Sequence, residues 1–266
     1  MKSNSLRVRG CPVSWIGIYA AIIGIAALVP LIPYMGGGGF LPLCIPIVVI
    51  APLILGIWPG VIAAFVGSVL GMFISPSAFP MGFFDVIVVG TLPALFAGFV
   101  FNGDKVKYWA SFTLIYLVNA AFAEIVPFYF PGKSAGFAPP PQPTYFLVVA
   151  IFWAPALITY ISIGQFIPKW SSAENRKKRY IITYIGQFIA ILCWGMPYWY
   201  LYAYVLKLTP EVVTAGYLLW QSWVMPLIAF VATVIVIPLA EVLRKSSFSP
   251  PSEALWKEQL TEKIIK

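Results

Sequence analysis

Glu124 and Asp85 stand inside or at the mouth of long apolar stretches, where an acid needs a reason to be. A carboxylate at the centre of a membrane helix costs about 2.5–3.5 kcal/mol on insertion scales, so it calls for a partner, a wet cavity or a ligand. Asn119 precedes Glu124 by five residues in the same stretch. When the chain is threaded through a membrane as set out below, Trp194 and Tyr198 fall at a similar level, as do Trp220 and Gln221. Aromatic walls with a few hydrogen-bonding groups suit a small organic ligand. Each stacked ring pair adds about 0.5–1.5 kcal/mol beyond area burial, which favours a flat molecule. Simpler explanations stand beside this one. Tyr200, Tyr202 and Tyr204 read as an interfacial aromatic belt, and Trp194 fits a belt or a pocket wall equally. Asp85 also fits a helix N-cap at the interface. Glu124 has the weakest structural explanation.

Several chemistries are excluded by what is missing. The chain has no histidine, which argues against paired haem ligation, zinc hydrolysis, Ser–His nucleophilic catalysis and histidine proton relays. Cys11, Cys44 and Cys193 lie far apart, with no metal or redox spacing. No Walker A sequence is present, so the chain is not expected to hydrolyse ATP itself. We therefore expect no enzyme activity, no cofactor and no resident metal. A bare transition metal is disfavoured as cargo for want of its usual ligands.

The elements that must position these residues are membrane spans. The chain is 61% hydrophobic and 10% charged, with a mean hydropathy of +0.89, whereas soluble domains carry about 25% charged residues. Apolar runs of about 20 residues cross a hydrocarbon core of roughly 30 Å. Such runs fall at 12–34, 40–57, 60–75, 83–102, 108–130, 144–167, 180–206 and 213–243. The expected fold is thus an all-α, polytopic bundle of about eight spans, with odd spans running outward and even spans inward. Of the 17 Lys and Arg residues, only Lys133 and Lys207 then lie outside. The remainder collect in the N-terminal arm, at Lys105 and Lys107, in the run 169–179 and after Leu243, so both termini are placed in the cytoplasm. The second and third spans are joined at Trp58-Pro59-Gly60, either as a tight crossing hairpin or as a re-entrant pair. The organisation read from this is a membrane domain over 1–245 and a cytoplasmic tail over 246–266. In that tail Trp256, Leu260 and Ile264 share a helical face suited to the inner leaflet or a partner. The net charge of +8 flanks apolar spans, so it implies contact with anionic lipid rather than nucleic acid.

Loops and small residues add detail. Gly36 to Gly39 form an outer run free to take conformations closed to other residues, a connector or a lid hinge. The outer loop 131–143 holds Pro139, Pro140, Pro141 and Pro143 and reads as an extended strap. Gly17, Ala20, Ala21, Gly24 and Ala27 in the first span, and Gly60, Ala63, Ala64, Gly67 and Gly71 in the third, recur at helical spacing. Such residues let helices approach closely, either within the bundle or against another subunit.

The stretch 45–100 carries a Trp-Pro-Gly turn, a Gly-rich helix, the outer sequence Phe79-Pro80-Met81-Gly82-Phe83-Phe84-Asp85 and an Ala-Gly helix end at Ala97-Gly98. It resembles the substrate-binding S components of energy-coupling-factor transporters. That resemblance implies a six-span core within the bundle and docking of a transmembrane coupling subunit, with its ATPases, on Gly17, Ala20, Ala21 and Gly24. The expected function is a substrate-capture subunit of a small-molecule, vitamin-like micronutrient importer in the plasma membrane. Alternatives are an ion-coupled secondary transporter with Glu124 as coupling acid, or a structural or assembly subunit of a membrane complex.

Overall fold

A computed structural model describes residues 6–33, 39–101, 167, 175–206 and 220–245, with the backbone path alone for 192–206, 220, 221, 244 and 245. The described chain is mostly helical. A short hairpin of β1 (Arg7–Val8) and β2 (Cys11–Pro12) leads into α1 (Val13–Ala26). A second hairpin, β3 (Pro30–Pro33) with β4 (Phe40–Pro42), leads into α2 (Cys44–Leu55). There follow α3 (Ile57–Ile74), a 3₁₀ turn (Pro76–Ala78), α4 (Phe83–Val88) and α5 (Leu92–Val100). After the undescribed stretch come α6 (Arg176–Leu206), a π turn (Trp220–Val224) and α7 (Met225–Lys245).

Among the described residues, three helical stretches are long and apolar enough to cross a membrane: Ile57–Ile74, Phe83–Val100 and Ser222–Leu243. The expected fifth span lies outside the described residues, as does the sixth apart from Ile167. The first two expected spans are shorter as helices than their apolar runs. Prolines explain this. Val29 and Ile32 each precede a proline, which drives them from helical to extended backbone. The chain therefore leaves α1 at Ala26 and forms a hairpin whose strands satisfy one another's polar groups, closed at its base by the Leu43 N–H on the Val29 carbonyl at 2.9 Å. The turn before α3 also falls earlier than Trp58-Pro59-Gly60. It is made by Gly56 at φ +92°, a conformation that favours glycine. Pro59 sits in the first turn of α3, where its missing N–H has no helical acceptor to serve.

Direction alternates along the chain. Ala20, Ile23 and Gly24 of α1, with Ala27 that caps it, lie in register against Gly67, Leu70 and Gly71 of α3, so these two helices run parallel. The contact is close: a Cβ on Gly67 would fall 2.6 Å from Ile23 Cβ and 2.7 Å from the Ala20 carbonyl oxygen. α5 returns beside α3, with Gly98 against Ile57, while Gly90, just before it, lies against Ser68. α2 is apolar all round and buried along nearly its whole length, packed by α1, α3, α5 and α7. The Tyr19 hydroxyl ties α1 to it by donating to the Ile47 carbonyl at 2.9 Å. Arg176 and Arg179 reach Glu241 at 3.7 and 3.4 Å, so α6 and α7 run antiparallel. Arg9 lies over the Trp58 ring, 5.6 Å from its centroid. That places the basic N-terminal arm at the end of the bundle where α3 begins and α5 finishes.

The surface inverts the pattern of a soluble helix. α3 turns Gly60, Ala63, Ala64, Gly67, Ser68 and Gly71 inward and Ile62, Val66, Leu70 and Phe73 outward. α7 turns Met225, Ile228, Ala229 and Ala232 inward and Leu227, Phe230 and Val234 outward, and Trp223 of the preceding π turn is exposed as well. Small residues inside and large apolar ones outside suit a helix whose surroundings are hydrocarbon. The small stripe of α1 divides: Ala20 and Gly24 are buried against α3, while Gly17 and Ala21 face outward beside Ile18, Ile22 and Ile25. The four positions expected to form one docking face therefore belong to two.

Candidate functional site

The expected fourth span is broken, and the break defines the site. Gly82, at φ +63°, turns the chain into α4. Pro93 lies in the first turn of α5 and has no N–H, so the Val89 carbonyl loses the donor four residues on. The helix adapts around the gap. The Asp85 carbonyl accepts from both the Val89 and Gly90 N–H groups, at 2.8 and 3.0 Å, and the second of these closes a five-residue turn. The Thr91 hydroxyl donates to the Val86 carbonyl at 2.7 Å. Discontinuous helices of this kind are tolerated in membranes where the irregular backbone is enclosed by protein or lines a cavity.

Asp85 is the third residue of α4, not its N-cap, which is Gly82. Its side chain folds back so that Oδ2 accepts the Met81 N–H at 2.7 Å, much as a third-position acid does in a capping box. That contact accounts for one oxygen only. Asp85 is 1% exposed, and Oδ1 is enclosed with no hydrogen-bond partner. Ser68 approaches the break from α3. Its hydroxyl lies against Gly90 so closely that a side chain at that position would overlap it. Ser68 Oγ is likewise buried and unpartnered. Two unpaired oxygens thus flank one helix break within an apolar interior, and buried polar groups of that kind are uncommon in folded proteins.

A third unpaired group lies on α6, which packs against α4 and α5. Gln187 is fully buried, and neither its Oε1 nor its Nε2 has a partner. Its neighbour Gly186 meets Phe101, at the end of α5 away from Asp85, so the amide stands apart from the acid and the hydroxyl. The hairpin that bears the glycine run sits at the same end as Asp85, because β4 packs on the Pro76–Ala78 turn.

Of the substrate-binding residues expected from sequence, Asp85 is the one whose side chain is placed. Glu124 and Asn119 lie outside the described residues. Trp194 and Tyr198 are four apart on α6, and Trp220 and Gln221 open the π turn before α7, but their side chains lie outside the described part. Sequence reasoning missed Ser68 and Gln187. The signal was present: each is a lone polar residue inside an apolar run, Ser68 among the small residues of α3 and Gln187 within Ile185–Leu192.

Compared with protein-family models, with curated proteins and with solved structures, the chain matches none. The functional reading therefore rests on its own residues and on the resemblance quoted above.

Proposed function

We propose that this chain is the membrane-embedded substrate-capture subunit of a small-molecule importer, energised by separate subunits and acting on a flat, vitamin-like micronutrient. The observation that carries the reading is the broken span α4–α5, with unpaired Asp85 Oδ1 and Ser68 Oγ beside it. Half-helix ends near the middle of the bilayer are where many transporters hold their solutes. A ligand seated there would give both oxygens the hydrogen bonds they lack. The hairpin carrying Gly36 to Gly39 would cover the entrance from outside. Glu124, Asn119, Trp194, Tyr198, Trp220 and Gln221 are proposed to complete the pocket. In this reading the chain is a multi-pass protein of the plasma membrane, with its basic edges cytoplasmic.

The test is thermal stability of the purified full chain against a panel of pteridine, flavin, pyridine and pyrimidine micronutrients. At a ligand concentration of 100 Kd, binding adds about 2.7 kcal/mol of apparent stability. Asp85→Asn and Ser68→Ala are expected to lose most of that gain. Retention of the full shift by both variants would remove the site.

One observation favours a second reading. A buried carboxylate with a free oxygen inside a span is also what an ion-coupled secondary transporter needs, so Asp85, or Glu124, would then take the coupling ion. Accumulation of solute by this chain alone under an ion gradient would select it.

A further inference from the structure

We infer that the captured solute presents a cationic nitrogen bearing N–H groups, as in an amidinium, guanidinium or ammonium, to Asp85 and Ser68 at the helix break. This rests on the capture reading and adds to it the charge of the ligand. From Gly10 to Gly103 the sequence holds a single charged residue, Asp85. The segments α1 to α5 therefore bring it no counter-charge. α6 also packs on α4, but Arg176, Lys177, Lys178 and Arg179 stand in its first turn. Further along that helix, Gly186 already meets Phe101, at the end of α5 away from Asp85. Two of these cations, Arg176 and Arg179, are engaged by Glu241. Among the described residues, Asp85 thus lacks the opposite charge that acids inside membranes pair with.

Both free oxygens are held ready for a donor. A hydroxyl inside a helix commonly turns back to the carbonyl four residues earlier, as Thr233 does in donating to Ala229 at 2.7 Å. Ser68 makes no such bond and stands instead against Gly90, where any side chain would displace it. In Asp85 the Met81 N–H fixes Oδ2 at 2.7 Å and leaves Oδ1 to another partner. Open space begins one turn away. The Gly82 carbonyl accepts the Asp85 N–H at 3.0 Å, and a Cβ on Gly82 would meet nothing within 4 Å. An ionised carboxylate accepts hydrogen bonds and cannot donate them, so the missing partner is a donor. A neutral N–H would fill the bond and leave the charge buried without compensation. A cationic N–H supplies both, in a bond roughly twice as strong as a neutral one.

The experiment uses three probes of one shape and different charge: benzamidinium, benzamide and benzoate. Each is titrated against the full chain at constant ionic strength, with thermal stabilisation as the readout. Benzamidinium should bind wild type about tenfold or more tightly than benzamide, with benzoate weakest, because a site built for one group rejects the analogue lacking it. Asp85→Asn, which retains an acceptor for Met81, should bind benzamidinium and benzamide equally, and Ser68→Ala should weaken benzamidinium while keeping the preference. Equal binding of the two by wild type, or a preference that survives Asp85→Asn, would overturn the assigned charge. The capture reading would then still stand on the micronutrient panel. Should the probes fail while that panel succeeds, stabilisation by its cationic members bears the assignment out, and stabilisation by neutral members alone overturns it. Exchanging sodium for choline, which has no N–H, should not change the melting point. Sodium stabilisation that disappears in Asp85→Asn would give the position to an inorganic ion instead. Failure of probes and panel alike would remove the capture reading as well.

Discussion

Asp85 holds one hydrogen bond where its carboxylate has room for several, and that arithmetic sets what substitution should do. Asp85→Ala removes the Met81 contact that turns the chain into α4, with an expected loss of about 0.5–1.5 kcal/mol in stability. Asp85→Asn keeps an acceptor for the Met81 N–H, so it should fold and fail only in ligand stabilisation. Cys11 behaves differently. Burial at the β1–β2 hairpin pushes its thiol up to about 11, so it stays protonated at neutral pH and should react slowly with maleimide until the protein unfolds. Between about pH 9 and 11 the unfolded chain releases that proton while the folded one keeps it. Stability therefore falls as pH rises through this window. Cys11→Ala should remove that component of an alkaline denaturation profile, and an unchanged slope would show that the thiol is not buried as described. Asp85 was legible in the sequence as an acid at a span entrance, but its position as third residue was not, because that depends on Gly82 taking a positive φ. Ser68 and Gln187 were legible as lone polar residues in apolar runs, but that their neighbours leave them without hydrogen bonds was not.

The helices depend on small residues more than on any polar contact. Gly67→Ala would drive a methyl group into Ile23 and the Ala20 carbonyl, and overpacking of this kind typically costs about 1–3 kcal/mol. Gly17 has open space around it, so Gly17→Ala should be neutral or slightly stabilising. Thermal melts of the two variants in one detergent separate them. Equal melting points would contradict the α1–α3 packing. The helical spacing of Gly67 and Gly71, and of Ala20, Gly24 and Ala27, was readable beforehand; which of them faced one another was not. Hydropathy also merged elements that proline separates. The run 12–34 includes Pro30 and Pro33, and 83–102 includes Pro93, so each apolar stretch holds more than one element. A sliding average of side-chain polarity is blind to a missing N–H.

At the scale of the molecule, α1 and α3 run one way while α2 and the α4–α5 span return. The basic arm at Arg9 lies at the end where α3 starts, and the broken span begins at the opposite end, where β4 packs on the Pro76–Ala78 turn. The proposed capture role requires that the end bearing Arg9 be cytoplasmic and that solute enter from the other. It predicts that a single cysteine placed at Gly36 is labelled by an impermeant reagent from outside intact cells, and one placed at Ser5 is not. Labelling of both from one side would break the arrangement. The alternation of direction followed from counting spans, but the count of eight depended on segments whose packing no hydropathy pattern reveals. The most direct measurement is retention of the stabilising solute by proteoliposomes that contain this chain alone, with and without imposed proton and sodium gradients. The account predicts about one bound solute per chain, lost in Asp85→Asn and unchanged by either gradient; gradient-driven accumulation, or binding indifferent to Asp85, would contradict it.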